Sequence, residues 1–231
     1  MKRLLAFAAA ALLALPAAAQ KYSTYYYQRA SLFEVLPAGR HDIIFVGNSI
    51  TDGGEWSELF GNRHIKNRGI SGDISEGVLD RIDVIAAGRP SKIFMMIGTN
   101  DFARDITVDD VVGNTRKIIE RIHEKSPSTL VYIQSILPVT PHYGKFAGHT
   151  SRSAEIREAN SRLQNLTREL GATYIDLWTP MTDPATGLFD TRLTNDGLHL
   201  TGEGYLLWRE IAEPYVRESK AAYRRRINAN R

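Results

Sequence analysis

From residue 41 onward the chain alternates short apolar runs of strand length with longer stretches whose apolar residues recur at helical spacing, and this alternation leaves few architectures open. Strands are expected over 42–47, 65–68, 92–98, 129–137 and 173–177, and helices over 54–60, 75–87, 107–125, 153–170 and 201–218. In the third helix Val111, Val112, Ile118, Ile119 and Ile122 fall on one face. Ser126-Pro127 ends that helix by removing a backbone donor, and Gly171 ends the fourth by tolerating positive φ. Strands that alternate with helices lie parallel and are covered on both faces. The expected class is therefore α/β, a three-layer α/β/α sandwich around a parallel sheet of about five strands.

The first 20 residues, MKRLLAFAAAALLALPAAAQ, have Lys2 and Arg3 ahead of an apolar run from Leu4 to Leu15, then small residues at Ala17, Ala18 and Ala19. This reads as a signal peptide over 1–19, cleaved on export to the periplasm or the medium of a bacterium. A membrane anchor needs about 18 or more consecutive apolar residues, and a lipid-anchored precursor needs a cysteine, of which the chain has 0. Cleavage leaves 212 of the 231 residues, 20–231, as one domain that must be held by its core without disulfides. A helical extension at about 22–37 carries Tyr22, Tyr25, Tyr26 and Tyr27, suited to packing or to stacking on sugars. Loss of Lys2 and Arg3 takes the formal net charge from +3 to +1, which gives no general attraction to nucleic acid or to a membrane surface. The basic tail at 220–231 reads as a solvated, fraying terminus.

In open parallel sheets ligands sit beyond the carboxyl ends of the strands. Three of those ends carry polar residues here: Gly47-Asn48-Ser49, the stretch RGISGD at 68–73, and Gly98-Thr99-Asn100-Asp101. Ser49 is either the N-cap of a following helix or a nucleophile. A nucleophilic serine needs a histidine base and a carboxylate that fixes the tautomer of that base. Asp196-Gly197-Leu198-His199 offers both on one turn, although Asn-Asp-Gly is also an ordinary turn signal. Candidate oxyanion donors are the backbone N–H groups of Ser49 and Gly72 and the side-chain amide of Asn100, while Gly72 can equally be a loop glycine and Asn100 an Asx turn.

Taken in order, GNSIT, NRGISGD, GTND and DGLH resemble the four sequence blocks of the SGNH hydrolases, also called the GDSL esterase family, over about 42–208. The resemblance implies a flavodoxin-like sheet, with Ser49 as nucleophile, His199 as base, Asp196 as its orienting acid, and Ser49, Gly72 and Asn100 as the oxyanion hole. It implies no metal and no cofactor. One departure is Asn48, where the family more often has Asp. The α/β-hydrolases share the order Ser, Asp, His, but their G-x-S-x-G elbow is absent because Thr51 replaces the second glycine.

GNSITDGGEW and SGDISEGVLDR look most like carbohydrate O-acetylesterases and platelet-activating-factor acetylhydrolase-like members. The expected substrate is a short-chain ester, acetyl above all, on a glycan such as sialic acid or a plant polysaccharide. A lysophospholipase or thioesterase is the alternative, and it would need an apolar acyl groove. A non-catalytic glycan-binding module using Trp56, Trp178 and Trp208 as stacking surfaces has no use for a base and its acid; those rings are expected in or near the core. His41, His64 and His123 lack partners at metal-ligand spacing. The irregular segment 138–152, with His142 and His149, is either a surface excursion with exposed histidines or a lid over substrate.

Overall fold

A computed structural model describes residues 20–229; the expected leader at 1–19 lies outside the described residues. In chain order the elements are α1 (Thr24–Val35), β1 (Ile43–Gly47), α2 (Ser49–Asp52), α3 (Trp56–Leu59), β2 (Ile65–Gly69), α4 (Ser75–Ala87), β3 (Lys92–Met96), α5 (Thr99–Phe102), α6 (Val108–Lys125), β4 (Leu130–Gln134), a 3-10 turn (Pro141–Tyr143), α7 (Ala147–Thr150), α8 (Ser153–Leu170), β5 (Thr173–Ile175), α9 (Trp178–Met181), α10 (Gly202–Arg217) and α11 (Lys220–Ala229). The five strands pair in parallel in the order β2-β1-β3-β4-β5. Helices cover both faces, which is the three-layer α/β arrangement expected from the alternation.

Every residue of β1, β3 and β4 is buried, as strands covered on both faces must be. The register sets Phe45 beside Phe94 and Phe94 beside Tyr132. Their rings stack across the sheet at 4.9 and 4.4 Å, with interplanar angles of 5° and 6°. Trp56 of α3 continues the stack over Phe45 at 4.3 Å, and Trp208 of α10 meets Trp56 edge-on at 4.7 Å. Each such ring contributes about 1.5–3 kcal/mol through burial, and each stacked pair roughly 0.5–1.5 kcal/mol more. The opposite layer is α4, α6 and α8, side by side. The capping box expected of a good helix start closes α6, with Thr107 accepting from Asp110 N at 3.1 Å.

Three strands stop earlier than expected, β5 at Ile175, where Ser135 Oγ takes the N–H groups of Leu177 and Trp178, both at 2.8 Å. β3 ends at Met96 because Gly98, at φ 136°, turns the chain into α5. β4 ends at Gln134, and beyond it the Asn160 side chain takes both the N–H and the C=O of Ile136, at 2.8 and 2.9 Å, in place of a neighbouring strand. The tail is also different from a fraying terminus. α11 buries Tyr223, whose hydroxyl donates to Val131 O and Gly171 O at 3.2 and 3.0 Å, while Arg226 grips Glu218 through Nε at 3.2 Å. At the other end α1 lies on α4, with Phe33 buried under the guanidinium groups of Arg68 and Arg81 at 4.8 and 5.7 Å.

Candidate active site

The sheet order reverses direction between β1 and β3, so the crevice of this fold opens beyond their carboxyl ends. At the end of β1 the chain turns sharply into the four-residue helix α2. Gly47 permits the turn: a Cβ there would lie 2.2 Å from Thr51 Oγ1 and 2.4 Å from Met96 O. The cap of α2 is Asn48, whose side chain accepts from Ile50 N at 3.0 Å, which leaves Ser49 in the first turn with its hydroxyl uncommitted to capping.

A helix this short is marginal by itself, and its carboxyl end is held by side chains from three other elements. Asn67 of β2 donates to Thr51 O, Asp52 O and Gly54 O at 2.9, 2.9 and 3.0 Å. Trp56 Nε1 donates to Thr51 O at 2.8 Å, and the Tyr205 hydroxyl of α10 to Ile50 O at 2.9 Å. Ser49 is thereby presented on a fixed support.

Ser49 Oγ lies 3.0 Å from Nε2 of His199, a residue 150 positions later. Nδ1 of the same ring lies 2.8 Å from Asp196 Oδ2. Asp196 also behaves as the turn former that its sequence suggests, because its other oxygen accepts from Leu198 N at 2.9 Å and His199 N at 2.8 Å. Burial pushes the Asp196 carboxyl up, but the N–H groups of His199 and Leu198 together with the imidazole outweigh it and hold the group below its ordinary value. An ionised carboxylate only accepts, so the Asp196 contact favours the tautomer with its proton on Nδ1 and Nε2 facing Ser49.

Gly72 and Asn100 join this cluster through their neighbours. Ser71 is tied to α2, its N–H and hydroxyl both donating to Asp52 Oδ2 at 3.2 and 2.7 Å. Asn100 Nδ2 donates to Asp73 O at 2.8 Å on the far side of Gly72. The Gly72 N–H takes no acceptor among the described residues, and its φ of 79° is the left-handed conformation that favours glycine. A buried guanidinium fixes the same loop from below: Arg81 pairs with Asp73 at 2.8 Å and donates to Arg68 O and Gly47 O at 2.8 and 3.2 Å, joining the ends of β1 and β2. Asp101, pushed up to about 6 by burial, accepts from the Ser75 hydroxyl at 2.6 Å and anchors α5 to the start of α4.

The segment 138–152 brings two side chains to this cluster: His149, for which the sequence left exposure or substrate contact open, and Phe146, which it did not single out. His149 is partly buried, and its Nε2 donates to Asn100 Oδ1 at 3.0 Å. Burial first, then the charges of His199 and Arg104, push its imidazole below the ordinary value, so it is a neutral donor near pH 7. Phe146 sits at φ 50°, a left-handed conformation that costs a bulky residue roughly 1 kcal/mol or more, and its ring meets His199 edge-on at 5.2 Å. His142, by contrast, is exposed. Trp56 and Trp208 are core residues with no surface left for a ligand, and Trp178 is half-buried beside the Arg157 guanidinium. Asn67 and Arg81 escape a reading of local pattern because each acts through contacts distant in the chain, and the bond of His149 to Asn100 does so for the same reason.

The GDSL-like Lipase/Acylhydrolase family model matches residues 45–207. The platelet-activating factor acetylhydrolase IB subunit alpha1 of Bos taurus is 27% identical over 174 residues, covering 71% of this chain and 70% of that protein. A solved structure from Streptococcus pneumonia, described as a candidate platelet activating factor, is 28% identical with a TM-score of 0.76 over 83% of this chain and 92% of that one. An acetylxylan esterase from Geobacillus stearothermophilus shares the fold at 15% identity, with a TM-score of 0.63 over 79% of this chain and 96% of that one.

Proposed function

Since the chain belongs to the GDSL-like Lipase/Acylhydrolase family and is an ester-hydrolysing enzyme of that type, we propose that it is an exported serine esterase removing short acyl groups, acetyl above all, from carbohydrates. One observation carries the reading: Ser49 Oγ, His199 and Asp196 form a continuous chain of hydrogen bonds at 3.0 and 2.8 Å. In the proposed reaction His199 Nε2 takes the Ser49 proton as Oγ attacks the ester carbonyl. Asp196 holds the imidazole and balances the imidazolium that forms. The oxyanion receives the N–H groups of Ser49 and Gly72 and the Asn100 Nδ2 proton not used by Asp73 O. His199 returns its proton to the departing alkoxide, and water activated by the same imidazole clears the acyl-enzyme. No step requires a metal or a cofactor.

The acetyl preference is supported by the acetylhydrolase relatives, and the carbohydrate acceptor by the polar surroundings of Gly72, where Ser71 and Arg104 line the wall. A second reading, a lysophospholipase or thioesterase, is favoured by an apolar groove of about 540 Å3 between Gly53, Leu59, Tyr205 and Leu206, one helical turn from Ser49. The test is acetate release from a panel of O-acetylated sugars beside Ser49→Ala. That variant should lose turnover by a factor on the order of 10^4 or more. Near-normal hydrolysis by purified, folded Ser49→Ala protein overturns the serine mechanism, and a strong preference for p-nitrophenyl octanoate over acetate moves the assignment to the second reading. Export rests on the pattern of residues 1–19 and is checked by the first residue of the protein recovered outside the cytoplasm, expected to be Gln20.

A further inference from the structure

We propose that the cavity between α1 and the Gly72 loop is a subsite for an acyl acceptor bearing a carboxylate, an acidic sugar ring, with Arg104 as the residue that holds the carboxylate. The proposal rests on the serine esterase reading, because it places the acceptor next to the candidate oxyanion hole. The cavity has a volume of about 300 Å3 and is lined by Lys21, Tyr22, Tyr26, Ser71, Gly72 and Arg104 among others. That is at the small end for a ligand site and fits a single ring better than a long acyl chain.

The polar groups on its walls are almost all committed. Lys21 is paired with Glu76 at 3.1 Å and Asp80 at 2.9 Å, and the Tyr22 hydroxyl donates to Asp80 at 2.6 Å. The Tyr26 hydroxyl donates to Gly77 O at 2.8 Å, and the Ser71 hydroxyl to Asp52 at 2.7 Å. Asp73, at the floor, is neutralised by Arg81 at 2.8 Å.

Arg104 is the exception. Among the described residues it enters no ion pair, and the one hydrogen bond of its side chain runs from a terminal nitrogen to Gly72 O at 2.8 Å. That bond fixes the guanidinium beside the residue whose N–H is a candidate oxyanion donor and leaves the other N–H groups of the fork unused. Its charge is felt within the site, since it is one of the groups that depress the His149 imidazole. A planar fork with free parallel donors matches a carboxylate bidentately. The facing wall is aromatic: Tyr22, half-buried and packed on the buried Tyr26 with ring centroids 4.2 Å apart, gives the cavity an apolar edge for the carbon face of a sugar.

The experiment compares kcat/KM for three acetyl esters: an O-acetylated methyl glucuronoside, the same compound as its uncharged methyl ester, and acetylated glucose 6-phosphate. For the wild type the ratio of the first to the second is expected to exceed about ten, and to fall as salt is added, because a half-exposed ion pair is screened. Arg104→Gln is expected to bring the ratio to near one, and Arg104→Lys, which keeps the charge without the fork, to an intermediate value. A wild-type ratio near one overturns the subsite, as does a ratio that Arg104→Gln leaves unchanged. A preference for the phosphate over the carboxylate overturns the acceptor class. p-Nitrophenyl acetate separates the subsite from the reaction itself: if the wild type cleaves it and the ratio is near one, only the subsite fails, whereas no cleavage at all removes the esterase reading on which the subsite stands.

Discussion

A carboxamide is nearly symmetrical in shape and opposite in chemistry at its two ends, so an oxyanion donor built from Asn100 is only as good as the bonds that choose its orientation. Two bonds make that choice here: Nδ2 to Asp73 O at 2.8 Å, and Oδ1 from His149 Nε2 at 3.0 Å. With both in place one Nδ2 proton is left over, the one the proposed reaction gives to the oxyanion. Without His149 only the bond to Asp73 O opposes the rotation that would turn the amide oxygen toward the developing negative charge. His149→Ala is therefore expected to lower kcat about tenfold with little change in KM, the scale of one net hydrogen bond. Asn100→Ala should cost about 2.7–4 kcal/mol of transition-state stabilisation, or roughly 100- to 1,000-fold in kcat. Because His149 acts through Asn100, the double variant should be no slower than Asn100→Ala alone. Steady-state kinetics on the four proteins check this, and fully additive losses would show that His149 has a separate role.

At the scale of elements, the turn that carries Asp196 and His199 depends on backbone shape as much as on its side chains. Gly197 sits at φ 87°, and a Cβ there would fall 2.1 Å from Thr140 O, the residue whose N–H donates to Gly197 O at 3.0 Å. Gly197→Ala combines an unfavourable conformation with a collision against backbone that cannot rotate away. It is expected to lower thermal stability by several degrees and to reduce kcat by more than tenfold, with circular dichroism melting and kinetics as the two readouts; an active variant with unchanged melting temperature contradicts this account of the turn. The same scale explains what was legible in the sequence. All five strands and the long helices announced themselves through apolar runs and helix ends such as Ser126 and Gly171. The helices α2, α5, α7 and α9 have 4 residues each, barely one turn, which is too short for any periodicity to register. α11 hid for another reason: its sequence is dominated by charge, and its anchoring rests on buried Tyr223. In the site, the polar strand ends were visible because small and polar residues break the apolar runs there. His149 was not, since nothing in PHYGKFAGHT distinguishes a histidine that reaches Asn100 from one that faces water.

For the whole molecule the central demand is that Ser49, near the start of the fold, and His199, near its end, keep a separation of 3.0 Å. The sheet holds β1 in place, but the loop carrying His199 belongs to no strand and is fixed by what packs against it, first among these the helix on its C-terminal side, α10. The grip of that helix is aromatic. Trp208 is fully buried, meets Trp56 edge-on at 4.7 Å, and donates from Nε1 to Gln134 Oε1 at 2.7 Å at the end of β4. Three residues earlier in the same helix, Tyr205 donates to Ile50 O in α2 at 2.9 Å. One helix thus touches the support of Ser49, the end of a central strand and, through its own start, the loop of His199. Trp208→Ala should remove about 3–5 kcal/mol of stability, which for a domain of this size lowers the melting temperature by about 10 °C. Trp208→Phe keeps a ring in the layer but leaves Gln134 Oε1 buried without its donor, at roughly 1–3 kcal/mol. If α10 is what fixes the His199 loop, the alanine variant will lose kcat out of proportion to its unfolded fraction even about 20 °C below its own melting temperature, while the phenylalanine variant, with the Tyr205 bond and the ring layer intact, keeps most of it. Equal retention of kcat in both folded variants would place the control of that loop elsewhere, in Thr140 and Tyr143, whose hydrogen bonds to Gly197 and Thr194 brace the turn from the opposite side.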